Sequence, residues 1–252
     1  MIAPKPTITI VVDNQAGDGL LADNAGKLKI GLEQTDILVL SHGHHDHTGR
    51  IPLVLKAARK AKVYCHPGVV QPRYSTRNGT AKAIHMPRES MAAIDKLPTE
   101  KLNWMPRARL VARGIGLTGP IPRETDYEDT GGPFFLDHQG KRADPIDDDL
   151  VLWIRTEQGL VVCVGCCHAG IVNTIKHVFR LSGMRTLRAL IGGFHLLNAD
   201  DKRLAQTIAA LRSFAPELIV PCHCTGAKAM QMLTSSFGER VEPGRAGARY
   251  SF

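Results

Sequence analysis

Ser41-His42-Gly43-His44-His45-Asp46-His47-Thr48-Gly49 places four histidines and an aspartate within six residues. An apolar run over 35–40 leads into it and reads as a buried strand, and residues 50–61 follow with helical spacing. On a continuing strand His42 and His44 would share a face while His47 pointed away, so convergence of these side chains requires a loop. Neutral imidazole and carboxylate suit zinc, iron or manganese. His42, His44, Asp46 and His47 on one strand-to-helix loop are therefore enough to begin two adjacent cation sites. A merely polar, histidine-rich surface loop is the alternative, and the density of ligand-type side chains argues against it.

The rhythm of strand, histidine loop and helix returns three times without sequence repetition. Residues 150–155 and 160–165 form the clearest hairpin, which ends in Cys166-Cys167-His168-Ala169-Gly170 before a helix over 171–181. Residues 188–191 lead into Gly192-Gly193-Phe194-His195 and an amphipathic helix over 200–214. Residues 217–220 lead into Pro221-Cys222-His223-Cys224-Thr225-Gly226 and a short helix to about residue 236. In α/β sheets, loops just past the carboxyl ends of strands converge on a crevice. His168, His195 and His223 are therefore expected to join the 42–47 loop in one pocket.

Elsewhere the signals are weaker. Residues 7–12 and 62–65 read as strands, 13–19 as a turn and 20–29 as a helix, and His66 at a strand end reads as a structural, hydrogen-bonded residue. From 66 to 149 the pattern loosens, and this segment is expected to be an insertion that edges the active site. Its Arg73, Arg77 and Arg123 are candidate contacts for an anionic substrate, against the plainer reading of a solvated face.

With 252 residues and 43% hydrophobic content, the chain is expected to form a single domain over 1–252. A formal charge of +8 favours anionic partners. Aromatics at only 5%, with no aromatic-interleaved basic stripe, argue against nucleic acid. No run of about 18 apolar residues exists to span a membrane, and the first residues lack the apolar core of a secretion signal, so a cytoplasmic protein is expected. Cys166, Cys167, Cys222 and Cys224 crowd two short loops, a poor disulfide pattern that fits a reducing compartment. Cys167, Cys222 and Cys224 read as buried small hydrophobes rather than ligands. The sequence leaves the oligomeric state open, a homodimer included.

H-x-H-x-D-H after a strand resembles the signature of the metallo-β-lactamase fold superfamily. Together with G-C-C-H-A-G-I-V-N, I-G-G-F-H-L and P-C-H-C-T-G, it resembles the branch of dihydropterin ribofuranosyl-aminobenzene 5′-phosphate synthase-like proteins. The resemblance implies an α/β four-layer αββα sandwich, with a first sheet reduced here because few strands precede the Asp13-Asn14 turn. It implies two metal ions, zinc first with iron or manganese as alternatives. His42 and His44 would serve the first metal, Asp46 and His47 the second, with His168 and His223 as further ligands. It also implies a metal-dependent hydrolase or transferase, possessing a metal-activated hydroxide or polarised group, for a small phosphorylated substrate. In that scheme Asp46 orients the nucleophile and His195, beside the substrate, protonates the leaving group. A nuclease on the same fold, an iron-dependent oxidoreductase and a non-catalytic metal scaffold are the rival readings.

Overall fold

A computed structural model describes residues 7–13 and 20–252, the side chain of Asn78 excepted. Of the turn read at 13–19 only Asp13 falls within them, and residues 1–6 lie outside them too. The strands are β1 (Ile10–Val12), β2 (Ile37–Val39), β3 (Lys62–Cys65), β4 (Tyr74–Ser75), β5 (Lys82–Ala83), β6 (Leu102–Trp104), β7 (Arg109–Ala112), β8 (Ile115–Leu117), β9 (Phe134–Phe135), β10 (Leu152–Thr156), β11 (Gly159–Val164), β12 (Leu187–Gly193) and β13 (Leu218–Cys222). The α-helices are α1 (Leu20–Lys27), α2 (His45–Thr48), α3 (Ile51–Ala57), α4 (Arg88–Asp95), α5 (Ile171–Ser182), α6 (Asp201–Phe214) and α7 (Ala227–Phe237).

Alternation along the strands sorts side chains into layers. In the first sheet, ordered β1-β2-β3-β6 and parallel throughout, Leu38, Val63 and Cys65 face outward and pack with Ile51 and Val54 of α3 and Ile94 of α4. Their neighbours Ile37, Val39 and Tyr64 face the other way, meeting Leu117 and Leu152 of the second sheet. That second sheet runs β13-β12-β11-β10-β8-β7, and its outer face, including Trp153 and Val162, is covered by α5, α6 and α7. Because side chains alternate with period two, each sheet can feed both a helix layer and the inter-sheet core. The result is the αββα sandwich, its first sheet carrying four strands among the described residues against six in the second.

The segment 66–149 differs from the expectation of one insertion. β6 completes the first sheet and β7 and β8 complete the second, so its middle is scaffold. These strands are three or four residues long and interrupted by Pro106, Gly114 and Gly116, too short for their alternation to show in sequence. Only the flanks, through β5-β4-β9, build a separate small sheet beside the histidine loops.

Candidate metal centre

Loops leaving the carboxyl ends of β2, β11, β12 and β13 meet at one edge of the sandwich. The His42 ring lies 4.4 Å from His44, 4.3 Å from His47 and 4.7 Å from His168, centroid to centroid. His47 is 5.1 Å from His223, and His168 is 4.2 Å from His195. Asp46 Oδ2 stands 3.4 Å from His47 Nε2 and 3.3 Å from His223 Nε2. Histidines as far apart in sequence as residues 42 and 223 therefore share one cluster.

Three groups within it bring ligand atoms within 4.8 Å of one another: His42 with Cys166 and His168, His47 with Cys166 and His223, and Cys166 with His195 and Cys224. Zinc bonds of about 2.0–2.3 Å place two ligands of one ion up to about 4 Å apart, so each group needs only small shifts to close. Cys166 belongs to all three, with its Sγ 3.1 Å from His47 Nε2. In the sequence its one signal is adjacency to His168 at a strand end.

Hydrogen bonds fix which ring nitrogens face the centre. His168 Nδ1 donates to the carbonyl of Thr130 at 2.8 Å, which leaves the Nε2 lone pair free. His47 Nδ1 donates to Asp13 Oδ2 at 2.8 Å. Ser41 Oγ gives its proton to Asp13 at 2.8 Å and so accepts from His42 Nδ1 at 2.9 Å, directing His42 Nε2 inward. Asp13 thus orients two ligand-type histidines, the arrangement that sets tautomer and basicity in metal sites. His44 Nε2, His168 Nε2 and His195 Nδ1 are buried without a hydrogen-bond partner among the described residues. Buried polar atoms are normally satisfied, and a cation would account for the orphans on His44 and His168.

The charge states agree with this fit. Burial, reinforced by neighbouring cationic groups, holds His42, His44 and His168 well below the ordinary histidine range, so they are neutral and free to donate lone pairs. Burial also opposes charge on His47, but Asp13 and Asp46 outweigh it and raise the group to about 10. Burial raises Asp46 less than its hydrogen bonds from His223 and His47 lower it, leaving a carboxylate. A cation would take the place of the shared protons there.

The backbone is strained where it presents these groups. Asp13, Cys167, His195 and His223 have φ of 60°, 58°, 46° and 50°, a region L-residues enter at a cost of roughly 1–3 kcal/mol each. Surrounding contacts hold them there. Glu128 accepts from Val172 N and Asn173 N at 2.9 Å, capping α5 just past His168. Phe194 N donates to Thr225 Oγ1 at 3.2 Å, tying the His195 loop to the His223 loop. At Gly165 a Cβ would sit 2.3 Å from Ser41 Oγ, so only glycine lets β11 approach the first histidine loop.

A cavity of about 400 Å³ opens on the cluster, lined by Asp46, Cys166, His195 and His223 together with Arg77 and Phe134. Arg77 therefore stands where an anion contact was expected. Arg73 does not. It is 1% exposed, its Nε 2.9 Å from Asp144 Oδ2 and its Nη2 2.6 Å from Asp148 Oδ1, so both edges of the guanidinium are occupied. Arg123 is likewise spoken for, donating to the carbonyls of His168 and Pro145 at 2.6 Å, and it supports the ligand loop rather than lining the cavity.

Asp149, fully buried, accepts from Ala169 N at 2.8 Å while its Oδ1 has no partner among the described residues. Burial pushes its carboxyl from 3.8 up to about 7. The unfolded chain then releases its proton first, so Asp149 lowers stability progressively as pH rises from about 4 to 7. By linkage such a difference amounts to roughly 4 kcal/mol at most. Asp149→Asn in chelated protein is expected to flatten the denaturation profile across that window and to be the more stable form at pH 8. A variant with the parent's slope would show that Asp149 does not titrate this way.

The fold and this cluster define a class. Residues 12–223 match the family model of the metallo-beta-lactamase superfamily, and the chain belongs to that superfamily. It is 32% identical over 234 residues to the 7,8-dihydropterin-6-methyl-4-(beta-D-ribofuranosyl)-aminobenzene-5′-phosphate synthase of Methanocaldococcus jannaschii, covering 91% of this chain and 79% of that one. Among solved structures it is similar to Tm1679, a metal-dependent hydrolase of the beta-lactamase superfamily, with 25% identity, a TM-score of 0.81 and coverage of 97% and 89%. The metallo-beta-lactamase fold protein YhfI from Bacillus subtilis shares the fold at 12% identity and a TM-score of 0.53, over 95% of this chain and 85% of that one.

Proposed function

We propose that the chain is a metal-dependent hydrolase or transferase for a small phosphorylated substrate, working with two cations. The observation behind this is the three ligand groups sharing Cys166, with His44 Nε2 and His168 Nε2 buried and unsatisfied among the described residues. His42, His44 and His168 would hold one ion, and Asp46, His47 and His223 the other. A sulfur ligand at Cys166 favours zinc or iron over manganese, and zinc is the first choice. When bound, the cations supply Lewis-acid polarisation of the attacked or leaving oxygen.

The chain's own groups do the rest. Asp46, a carboxylate at the cavity wall, accepts a hydrogen bond from the attacking group and orients it. His195 lines the same cavity, 8% exposed, and delivers a proton to the leaving group. Phe134, against the rings of His44, His168 and His195, keeps water from that face. All six cysteines are free, which suits a reducing cytoplasm, and no described helix is long and apolar enough to cross a membrane.

The relative from Methanocaldococcus jannaschii points to a finer version, in which the arylamine nitrogen of a ribofuranosyl-aminobenzene 5′-phosphate bonds to the 6-methyl carbon of an activated dihydropterin as an oxygen leaving group departs from that carbon. Zinc-loaded protein given both compounds is expected to yield their condensation product by mass spectrometry, and chelation to abolish it. If condensation is absent but a phosphorylated compound is hydrolysed metal-dependently, only the finer version fails. Turnover that survives complete chelation would overturn the metal-dependent assignment itself.

A further inference from the structure

The small sheet β5-β4-β9 also walls the cavity, and its register sets out a row of side chains. Lys82 on β5 pairs with Ser75 on β4, and Ser75 pairs with Phe134 on β9. Directly paired residues project from the same face of a sheet, and all three line the cavity. The row begins beside the ligand cluster, where the Phe134 ring is 5.2 Å from His44 and 5.4 Å from His168. It ends at Lys82, two strand spacings away, roughly 10 Å from Phe134 along the sheet. Arg77, on the turn after β4, lines the same cavity, and its guanidinium comes near the Phe134 ring: a Cβ on Gly132 would sit 2.9 Å from that ring and 3.3 Å from Arg77 Nη2.

Arg77 and Lys82 are exposed, and neither side chain has an ion pair or hydrogen bond among the described residues. Among the described residues Asp46 is the one carboxylate on the cavity wall, and it faces His47 and His223. The two cations are thus uncompensated on their own side. Nor is the small sheet free to drift, because His45 N donates to Ile84 O at 2.8 Å and His44 bridges to His85, stitching the end of β5 to the histidine loop itself. The distance from the Lys82 end to the ligand cluster is therefore built in.

We propose that Arg77, Lys82 and the Ser75 hydroxyl form a subsite for the phosphate of a phosphate monoester, set back from the cations so that the phosphate serves as a handle and leaves with the product. The inference rests on the assignment of a phosphorylated substrate made above, and it specifies that the reacting bond is not the phosphate ester. A guanidinium, an ammonium and a hydroxyl together supply charge-assisted donors to a dianion. The apolar start of the row, at Phe134, receives the body of the molecule between the handle and the cations.

Phenyl phosphate titrated calorimetrically into both zinc-loaded and chelated protein tests this, with zinc content measured on every sample. Arg77→Ala and Lys82→Ala are each expected to weaken binding roughly tenfold, with zinc content unchanged. Lys82→Arg is expected to bind within threefold of the parent, which loss of a merely structural lysine would not explain. Benzoate is expected to bind more weakly than phenyl phosphate, and no inorganic phosphate is expected to be released. Undetectable binding, parent-like affinity in the Arg77→Ala/Lys82→Ala variant, equal affinity for benzoate, or zinc-dependent release of phosphate would each overturn the subsite. Binding by chelated protein that still depends on Arg77 and Lys82 upholds the subsite even if zinc proves irrelevant to turnover. Zinc-dependent turnover with no such dependence upholds the function and rejects the subsite.

Discussion

His168→Ala is expected to lower the affinity of the chain for its first cation by more than about 100-fold and to remove metal-dependent turnover. Loss of residues that merely orient ligands costs roughly 10- to 100-fold in affinity, and His168 is placed to bind directly. Its Nδ1 is fixed on the Thr130 carbonyl and its Nε2 has no partner among the described residues. The fold should tolerate the change, because α5 is capped by Glu128 rather than by His168. Competition against a chromogenic chelator measures the affinity, and thermal denaturation of the chelated variant separates lost binding from lost folding. Parent-like affinity in a folded variant would remove His168 from the ligand set.

Arg73→Met is expected to destabilise the chain by about 3–5 kcal/mol, the range for stripping one partner from a buried ion pair. Arg73 and Asp148 are each 1% exposed and Asp144 is 3% exposed, so the two carboxylates would be left without their counter-ion and without water. The damage should reach the metal loop as well. Gly43 N donates to Asp148 Oδ2 at 2.8 Å, and Gly43 sits so close to Val69 O that a Cβ there would lie 2.2 Å away. Arg73 and Asp148 therefore position the backbone between His42 and His44. Urea denaturation of parent and variant gives the difference directly. A change under about 1 kcal/mol would mean that the triad carries little of the stability ascribed to it.

How legible these features were in the sequence follows from the range of the interactions. The four strand–loop–helix units were legible because apolar runs, glycines and histidines mark them locally; Asp200, read at the start of a helix, caps α6 by accepting from Arg203 N. Their convergence followed from how α/β sheets place loops. Arg73 was misread because nothing local distinguishes an arginine facing water from one meeting Asp144 and Asp148, more than 70 positions away. Cys166 stayed hidden because its sulfur acquires meaning only when β2, β11 and β13 bring His42, His168, His47 and His223 around it. Asp13 marked a turn in sequence, whereas its hydrogen bonds to Ser41 and His47 depend on β1 lying beside β2. β6, β7 and β8 were missed as scaffold because three or four residues cannot display a period.

The most direct test is a crystal structure of protein purified without added metal, with diffraction measured above and below the zinc and iron absorption edges. Two anomalous peaks are expected, one about 2 Å from nitrogens of His42, His44 and His168, the other equally close to Asp46, His47 and His223, with the Cys166 sulfur about 2.3 Å from at least one of them. A cluster without anomalous density even after soaking in zinc, with His44 Nε2 and His168 Nε2 bonded to water instead, would contradict the account at its root.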